Sequence, residues 1–266
     1  MQYDMLKLDM DESTHVATIT LNRPERLNAM PPSMADEVVK AIDAALAHKA
    51  RAILVTGEGR AFCSGADLAS GGDLAAAASG GAAAKASLDN SYHPMMKKVA
   101  EIPVPFITAV NGPAAGVGCS LALSGDFVVA GASAYFLQAF VNIGLVPDGG
   151  ATWMLPRLLG KARAFEMMML GEKIRAGKAY EWGMIHKAAS DEELMTEARV
   201  LAERLAAGPT MALGIMRRMA MENLDRTYDE ALDAEANGQH IAGDSADARI
   251  GAIAFLKKEK AEFIGK

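Results

Sequence analysis

The sequence predicts an α/β fold in which most strands pair in parallel through helical crossovers. Short apolar runs rich in β-branched residues occur at 52–56 and 104–110, and each is bounded by glycine or proline. An amphipathic helical pattern at 33–48 precedes the first run, and helical patterns dominate from residue 153 onward. Strands that alternate with helices are typical of a parallel sheet, whose ligands bind at the carboxyl ends of the strands.

The first elements predicted are a hairpin and a helix. Residues 3–8 and 16–21 alternate apolar and polar side chains around a polar connection, which favours two antiparallel strands. Ser33 is a candidate cap for the helix that ends near His48. A further strand is predicted at 126–130.

The second half of the chain is predicted to be mainly helical, with one short strand near 184–187. Gly160, Gly171 and the Gly208-Pro209 pair mark helix ends. We expect residues 1–200 to form the core and residues 201–266 a C-terminal helical region. The helical patterns lie at 153–159, 162–170, 176–182, 191–207, 210–223, 228–242 and 246–263.

Composition indicates an ordinary globular chain and excludes several classes of partner. Its 266 residues, 51% of them hydrophobic, can bury one sizeable core. The net charge is −6 and the largest basic cluster is Lys257, Lys258 and Lys260, so nucleic acid is not expected. No apolar stretch reaches the ~18 residues of a membrane span, and the charged N-terminal residues do not suit a signal peptide. We therefore expect no membrane partner and a cytoplasmic location.

Cysteine usage argues against disulfides and against a structural metal. The two cysteines, Cys63 and Cys119, lack the CxxC spacing of a zinc site. Cys63 is expected to be a small buried residue rather than a nucleophile. We predict no metal ligand in this sequence.

Two glycine-bearing loops are expected to face one another, because each follows a predicted parallel strand. The first is 57–68, and the second carries Gly112, Gly116 and Gly118 before a helix begins near Ser120. Free amides at such a helix start can hold a phosphate, a carboxylate or an oxyanion that forms during a reaction. The loop pattern alone leaves these three open.

The second loop is a poor match to nucleotide-binding signatures. The run Gly116-Val117-Gly118 lacks the third glycine of a dinucleotide site, and no acidic residue lies between Asp126 and Asp148 to hold a ribose. No glycine loop is followed by GK[ST], which excludes a P-loop. A nucleotide-dependent oxidoreductase is therefore disfavoured.

Asp148 is the strongest candidate for acid–base chemistry. It lies in the run Val146-Pro147-Asp148-Gly149-Gly150, with no basic residue within six positions on either side. A carboxyl group in apolar surroundings has its pKa raised toward a range that suits a general base. The alternative is that Asp148 only caps the helix that follows.

Three other titratable residues are expected to be structural. Asp67 follows Ser64-Gly65-Ala66 where a helix could begin, so a capping role is more plausible than catalysis. Asp126 stands at a strand start, and His93 has no chemical role assigned. Between the two loops, the low-complexity segment 69–85 suits either a plain linker or a lid over the site, and the region to residue 95 could belong to that lid.

Four groups of residues, in register along the chain, together resemble the crotonase, or enoyl-CoA hydratase/isomerase, superfamily. The resemblance implies a spiral of ββα units, with the C-terminal helices mediating a homotrimer or a dimer of trimers. It also implies an acyl-CoA thioester ligand and no separate cofactor, because coenzyme A is part of the substrate. The matching residues are NRP at 22–24 with LNA at 27–29, GRAFCSGADL at 59–68, NGPAAGVGCSLALSGD at 111–126, and GLVPDGG at 144–150.

The resemblance also implies particular site residues. In this superfamily two backbone N–H groups hold the thioester oxygen as an enolate forms, and here they would belong to Ala66 and Val117. The residues implied to contact the substrate or its coenzyme A part are Arg26, Ala29, Ser64, Gly65, Ala66, Asp67, Leu68, Gly116 and Phe140.

The resemblance favours isomerisation over hydration. The resemblance implies that two catalytic glutamates of the hydratases are replaced here by Ser120 and Phe140, which cannot position a water and move its protons. Asp148 matches the single carboxylate of an isomerase branch that includes 1,2-epoxyphenylacetyl-CoA isomerase and 3,2-enoyl-CoA isomerases. The sequence therefore predicts an acyl-CoA isomerase that uses Asp148. A hydratase or hydrolase of the same superfamily and a noncatalytic acyl-CoA-binding protein remain as alternatives.

Overall fold

The computed structural model describes residues 3–67 and 80–266. In these ranges the strands are β1 (Leu6–Asp11), β2 (Val16–Leu21), β3 (Ala52–Gly57), β4 (Phe106–Val110), β5 (Pro113–Ala115), β6 (Phe127–Gly131), β7 (Tyr135–Leu137), β8 (Ile174–Arg175) and β9 (Lys187–Ala189). The helices are α1 (Pro32–Ala47), α2 (Gly81–Ser87), α3 (His93–Ala100), α4 (Val117–Leu123), α5 (Ala151–Leu170), α6 (Ala176–Glu181), α7 (Leu194–Ala206), α8 (Thr210–Glu222), α9 (Tyr228–Gly243) and α10 (Ala246–Lys257).

The predicted α/β architecture is confirmed. A six-stranded sheet has the order β1-β2-β3-β4-β6-β9, in which only the β1–β2 pair is antiparallel. A smaller three-stranded sheet has the order β5-β7-β8. Because β5 directly follows β4 and β7 directly follows β6, each of these two units places one strand in each sheet, as a spiral of ββα units does.

The central strands β3, β4 and β6 are buried on both faces of the large sheet, which explains why they are continuous apolar runs rather than alternating ones. In β3, Ala52 and Leu54 face a cluster completed by α7, whereas Ile53 and Val55 face the larger core with α1. Successive side chains of a strand point to opposite faces, so one short run supplies both cores. α7 contributes residues spaced about one helical turn apart, namely Leu194, Ala198, Ala202 and Ala206.

Several predicted boundaries are corrected by the structure. The first strand is 6–11 rather than 3–8, because the Asp11 carboxylate accepts hydrogen bonds from Ser13 and from the Thr14 amide, and so closes a tight turn directly after the strand. The last strand is 187–189 rather than 184–187. The strands β5, β7 and β8 were not predicted, since two or three residues are too few to show a pattern.

In the helical second half of the chain, Gly160 and Gly171 interrupt or end a helix as predicted. Within α5, Gly160 has the non-helical angles φ 74° and ψ 164°, so the predicted break at this residue is confirmed. Gly171 ends α5 with a left-handed φ of 60°. The last helix ends at Lys257 rather than 263, because the buried Asp247 carboxylate accepts hydrogen bonds from the amides of Ile264 and Gly265 and holds the final residues against α10.

The segment between the two loops is partly described. Residues 81–100, of which 81–85 were included in the low-complexity segment, form helical turns from α2 to α3. The predicted linker or lid at 69–79, and Leu68 with it, lie outside the described residues. No helix in the described ranges is long and apolar enough to cross a membrane.

A candidate active site between two glycine loops

The loops that follow β3 and β4 are in direct contact. The Cys63 amide donates to the Pro113 carbonyl at 3.0 Å, and the Ala115 amide donates to the Cys63 carbonyl at 2.9 Å. Gly65 and Gly116 face each other: a Cβ added to Gly116 would lie 3.7 Å from the Gly65 Cα. Both have positive φ, 105° and 54°, which favours glycine. The two loops therefore meet as the sequence predicts.

The start of α4 is packed onto the first loop. A Cβ added to Gly118 would lie 2.4 Å from the Cys63 carbonyl oxygen and 2.6 Å from the Cys63 Cβ. Any larger residue at 118 would force the helix away from the loop. This glycine thus sets how closely Val117, the first residue of α4, approaches residues 63–67.

The amides of Ala66 and Val117 have no hydrogen-bond acceptor within residues 3–67 and 80–266. On either side of Ala66, the Gly65 carbonyl accepts from Met30 at 2.8 Å and the Asp67 amide donates to Met30 at 3.2 Å. Successive amides of an extended chain point to opposite sides, so the Ala66 N–H points away from Met30. Two free donors on two loops in contact are the arrangement that binding a carbonyl oxygen requires.

Asp148 lies beside the same helix start. The Ser120 hydroxyl donates to the Asp148 backbone carbonyl at 3.0 Å. A Cβ added to the next residue, Gly149, would lie 2.8 Å from the Ser120 Cβ and 3.6 Å from the Val117 Cγ2. The structure thus packs the Asp148-Gly149 backbone against Ser120 and the Val117 side chain, although Asp148 and Val117 are 31 positions apart in the sequence.

The Asp148 carboxyl group is partly shielded from water. Its Oδ1 is buried without a hydrogen-bond partner among the described residues. Burial raises the pKa of Asp148 from 3.8 to about 6. The alternative role as a helix cap is wrong, because α5 begins after Gly150 and no side chain caps it. An Asp with this pKa can both accept and return a proton near neutral pH.

Ser120 and Phe140, the positions at which the resemblance implies glutamates in hydratases, flank Gly116. Ser120 is fully buried and its hydroxyl lies 3.4 Å from the Gly116 carbonyl oxygen, as well as bonding to Asp148. The Phe140 ring lies 3.6 Å from the position of a Gly116 Cβ. Neither side chain supplies a carboxyl group at the site.

The predicted coenzyme A contacts cluster around a buried ion pair. Asp67 is 2% exposed, and its carboxylate binds Arg23 at 2.8 Å and Arg26 at 3.0 Å. Arg23 also donates to the Ala29 carbonyl at 2.5 Å, and the Ser64 amide donates to the Leu27 carbonyl at 3.0 Å.

The Asp67 carboxylate therefore ties the first loop to the segment that carries Arg23 and Arg26. Arg26 stays partly exposed beside it, with 40% of its side chain accessible. Sequence reasoning did not single out Arg23, and its position in the NRP run beside Arg26 was the available signal.

The remaining candidates are structural. Burial raises the pKa of the Cys63 and Cys119 thiols to about 12, so neither is a nucleophile near neutral pH. Asp126 accepts from the Phe106 amide and from Arg217 Nε, both at 2.8 Å. Within residues 3–67 and 80–266 no cluster of His, Cys, Asp or Glu is placed to hold a metal ion.

Comparison with known proteins identifies the family. The family model for enoyl-CoA hydratase/isomerase matches residues 11–266. Over 253 residues the chain is 43% identical to the 1,2-epoxyphenylacetyl-CoA isomerase of Escherichia coli (strain K12), covering 94% of this chain and 95% of that protein. Over 266 residues it is 41% identical to the protein named "Probable enoyl-CoA hydratase" of Rhodobacter capsulatus, with 100% of both covered.

Solved structures agree. An enoyl-CoA hydratase from Polaromonas sp. JS666 superposes with a TM-score of 0.90 at 32% identity, covering 97% of this chain and 99% of that one. The chain therefore belongs to the enoyl-CoA hydratase/isomerase family of the crotonase superfamily, and it is an enzyme of that family. Relatives named as isomerase and as hydratase are about equally similar, so their names do not decide between the two reactions.

Proposed function

We propose that the protein is an acyl-CoA isomerase in which Asp148 is the acid and base. The observation that supports this proposal is the half-buried Asp148 carboxyl group, with its pKa raised to about 6, in a segment that packs against the start of α4. The Val117 amide, which opens that helix, has no acceptor within residues 3–67 and 80–266. A single carboxylate suffices for isomerisation, because a proton removed from one carbon can be returned to another by the same group. The isomerase named among the relatives supports the proposal.

The proposed reaction has two steps. The thioester oxygen accepts hydrogen bonds from the Ala66 and Val117 amides, and the Asp148 carboxylate removes a proton from a carbon near the thioester. The electron pair of that C–H bond delocalises onto the thioester oxygen as a dienolate. The protonated Asp148 then returns the proton to a different carbon. Removing one such backbone donor from an enzyme typically costs ~2.7–4 kcal/mol of transition-state stabilisation.

Hydration fits the site less well. Adding water to a double bond requires groups that orient the water and move its protons. The Ser120 hydroxyl already donates to the Asp148 backbone carbonyl, and the Phe140 ring is apolar. Hydrolysis is disfavoured for a similar reason, since residues 140–142 supply no glutamate to assist Asp148.

We further propose that coenzyme A extends along the first loop past Arg26, and that copies of the chain associate as a homotrimer or a dimer of trimers. Large apolar side chains are exposed near the C-terminus, including Phe255 at 83% and Leu256 at 81%. A second copy would remove such side chains from water. Light scattering of the purified protein would give the number of copies.

A substrate screen tests the proposal. Wild type and Asp148→Asn are offered 3-enoyl-CoA, 2-enoyl-CoA, aryl-epoxide-CoA and hydroxyacyl-CoA, and the products are followed by mass spectrometry. We expect isomerised product from the wild type, less than about one per cent of that rate from the variant, and similar acyl-CoA binding by calorimetry in both. Binding without product across the whole panel would support a noncatalytic acyl-CoA-binding protein instead.

A further inference from the structure

We propose that Ser120 is a positioning residue that fixes the Asp148 segment against α4, the helix whose first amide belongs to Val117. The inference rests on the proposed role of Asp148. It assigns a function to a side chain that replaces a hydratase glutamate and that does not itself take part in proton transfer.

Two backbone carbonyl oxygens lie within hydrogen-bond distance of the Ser120 hydroxyl, and the distances favour one of them. Its oxygen lies 3.0 Å from the Asp148 carbonyl and 3.4 Å from the Gly116 carbonyl. A hydroxyl carries one proton, and the shorter distance is the better hydrogen bond. Ser120 is 0% exposed, so water does not compete with these carbonyls for its hydroxyl proton.

Little else holds this segment. In the described part of the chain, the Ser120 bond is the one hydrogen bond that joins residues 145–150 to an element distant in sequence. The other bonds of the segment are local, such as that from the Leu145 amide to the Phe140 carbonyl. Leu145 and Val146 are 52% and 79% exposed and contribute little packing.

The backbone after Asp148 also rests on Ser120. A Cβ added to Gly149 would lie 2.8 Å from the Ser120 Cβ and 3.0 Å from its Oγ. This close approach and the hydrogen bond together fix the separation between the Asp148 segment and α4. Since the Val117 amide opens the same helix, Ser120 sets the geometry between the proposed oxyanion donor and the proposed base.

A positioning role predicts a particular kinetic pattern. Misplacing a reacting group by about 1 Å can cost 10²-fold in rate without a comparable loss of binding. We therefore expect Ser120→Ala to lower kcat by about 10- to 100-fold and to change KM by less than about twofold. Ser120→Thr, which keeps the hydroxyl, is expected to recover part of the rate.

Ser124→Ala is the matched control. Its hydroxyl donates to the Leu121 carbonyl at 2.7 Å, at the far end of the same helix, and does not contact Asp148. Hydrogen–deuterium exchange of the peptide 145–154 is measured for each variant, because the Ala151 amide in it donates to the Asp148 carbonyl at 3.1 Å. We expect faster exchange in Ser120→Ala and wild-type exchange in Ser124→Ala, because only the first variant releases the segment.

A second pair of variants tests the packing without removing the hydroxyl. Gly149→Ala adds a Cβ that collides with Ser120, whereas Gly144→Ala, also at a positive φ, adds one with nothing within 4 Å. We expect the kcat loss and the faster exchange in Gly149→Ala but not in Gly144→Ala.

The exchange measurement separates this inference from the proposed function. Turnover by Asp148→Asn would overturn the function, while exchange would still decide whether Ser120 fixes the segment. Wild-type exchange and wild-type kcat in Ser120→Ala would overturn the positioning role. Equal effects in Ser120→Ala and Ser124→Ala would overturn it as well.

Discussion

The raised pKa of Asp148 is caused by burial of its carboxyl group. Its Oδ1 is buried without a hydrogen bond among the described residues, and burial is the cause of the pKa shift to about 6. Arg23 and Arg26, which lie beside the first loop, are both bound to Asp67. The proposed base is therefore tuned by desolvation alone.

This pKa sets the pH dependence of turnover. Asp148 must be ionised to accept a proton, so kcat/KM is expected to rise as the pH increases through about 6 and then to level off. A steady-state profile between about pH 4.5 and 8 measures this limb. A midpoint near 4, the value of an ordinary aspartate, would mean that the carboxyl group is not desolvated in the enzyme.

The same shift predicts a cost to stability. Between about pH 4 and 6 the folded state binds more protons at Asp148 than the unfolded chain, so the free energy of unfolding falls as the pH rises, by roughly 3 kcal/mol. Asp148→Asn removes the charge that causes this cost. We expect the variant to be more stable than the wild type above pH ~6, with the difference shrinking toward pH ~4.

Urea unfolding of both proteins at the two ends of this range checks the prediction. An inactive variant that is more stable would also show that stability was given up for function. A variant that is less stable than the wild type at neutral pH would argue that the ionised carboxylate has a favourable partner in the folded protein.

At the scale of elements, the site depends on how closely α4 lies against the loop after β3. That distance is set by Gly118, because a Cβ there would overlap the Cys63 carbonyl, Cβ and Sγ at 2.4–2.7 Å. The backbone of Cys63 in turn pairs with Pro113 and Ala115 just before α4. The packing of Gly118 on Cys63 and the backbone hydrogen bonds of Cys63 therefore together fix the spacing of the Ala66 and Val117 amides.

Gly118→Ala should separate the two loops. We expect a loss of about 1–3 kcal/mol in the free energy of unfolding from the overlap, and a fall in kcat because the Val117 amide moves away from Ala66. The matched control is Gly177→Ala in α6, where a Cβ meets nothing within 4 Å. That variant should be neutral or more stable by up to about 1 kcal/mol. Similar effects of the two substitutions would contradict this account of α4.

The sequence predicted the long buried elements and the meeting of the glycine loops because those features leave local patterns. β2, β3 and α1 show their periodicity within single stretches, and the apolar neighbours of Asp148 are adjacent in the chain. Contacts between distant residues leave no such pattern. Arg217 and Asp126 are 91 positions apart, and nothing in either stretch indicates the other. The role of Ser120 was missed for the same reason, since its partner lies 28 positions away.

At the scale of the whole molecule, the largely buried side chain of Arg217 joins the C-terminal helices to the sheet. Arg217 of α8 binds the Asp126 carboxylate at the start of β6 and also donates to the carbonyls of Val99, Ala100 and Ile102 at the end of α3. Asp126 is thereby a structural residue, as expected. One arginine ties three segments of the chain together.

Arg217→Met should destabilise the fold strongly. It leaves the largely buried Asp126 without its counter-ion and three carbonyls without a donor, which typically costs about 3–5 kcal/mol. The control is Arg226→Met, which breaks the exposed pair with Glu222 one turn away and should change stability by about 0.5 kcal/mol or less. Urea unfolding of both variants measures the difference. Equal losses in the free energy of unfolding would show that the Arg217 contacts stabilise the fold no more than a surface ion pair does.

The most direct test of the central claim is whether the acyl group gains an oxygen atom during turnover. The wild type is incubated with a 3-enoyl-CoA in isotopically labelled heavy-oxygen water, and the product is analysed by mass spectrometry. We predict a 2-enoyl-CoA of the same mass as the substrate, with no labelled oxygen, formed by the wild type and not by Asp148→Asn. A hydroxyacyl-CoA that carries one labelled oxygen as the first product would contradict the single-carboxylate isomerase.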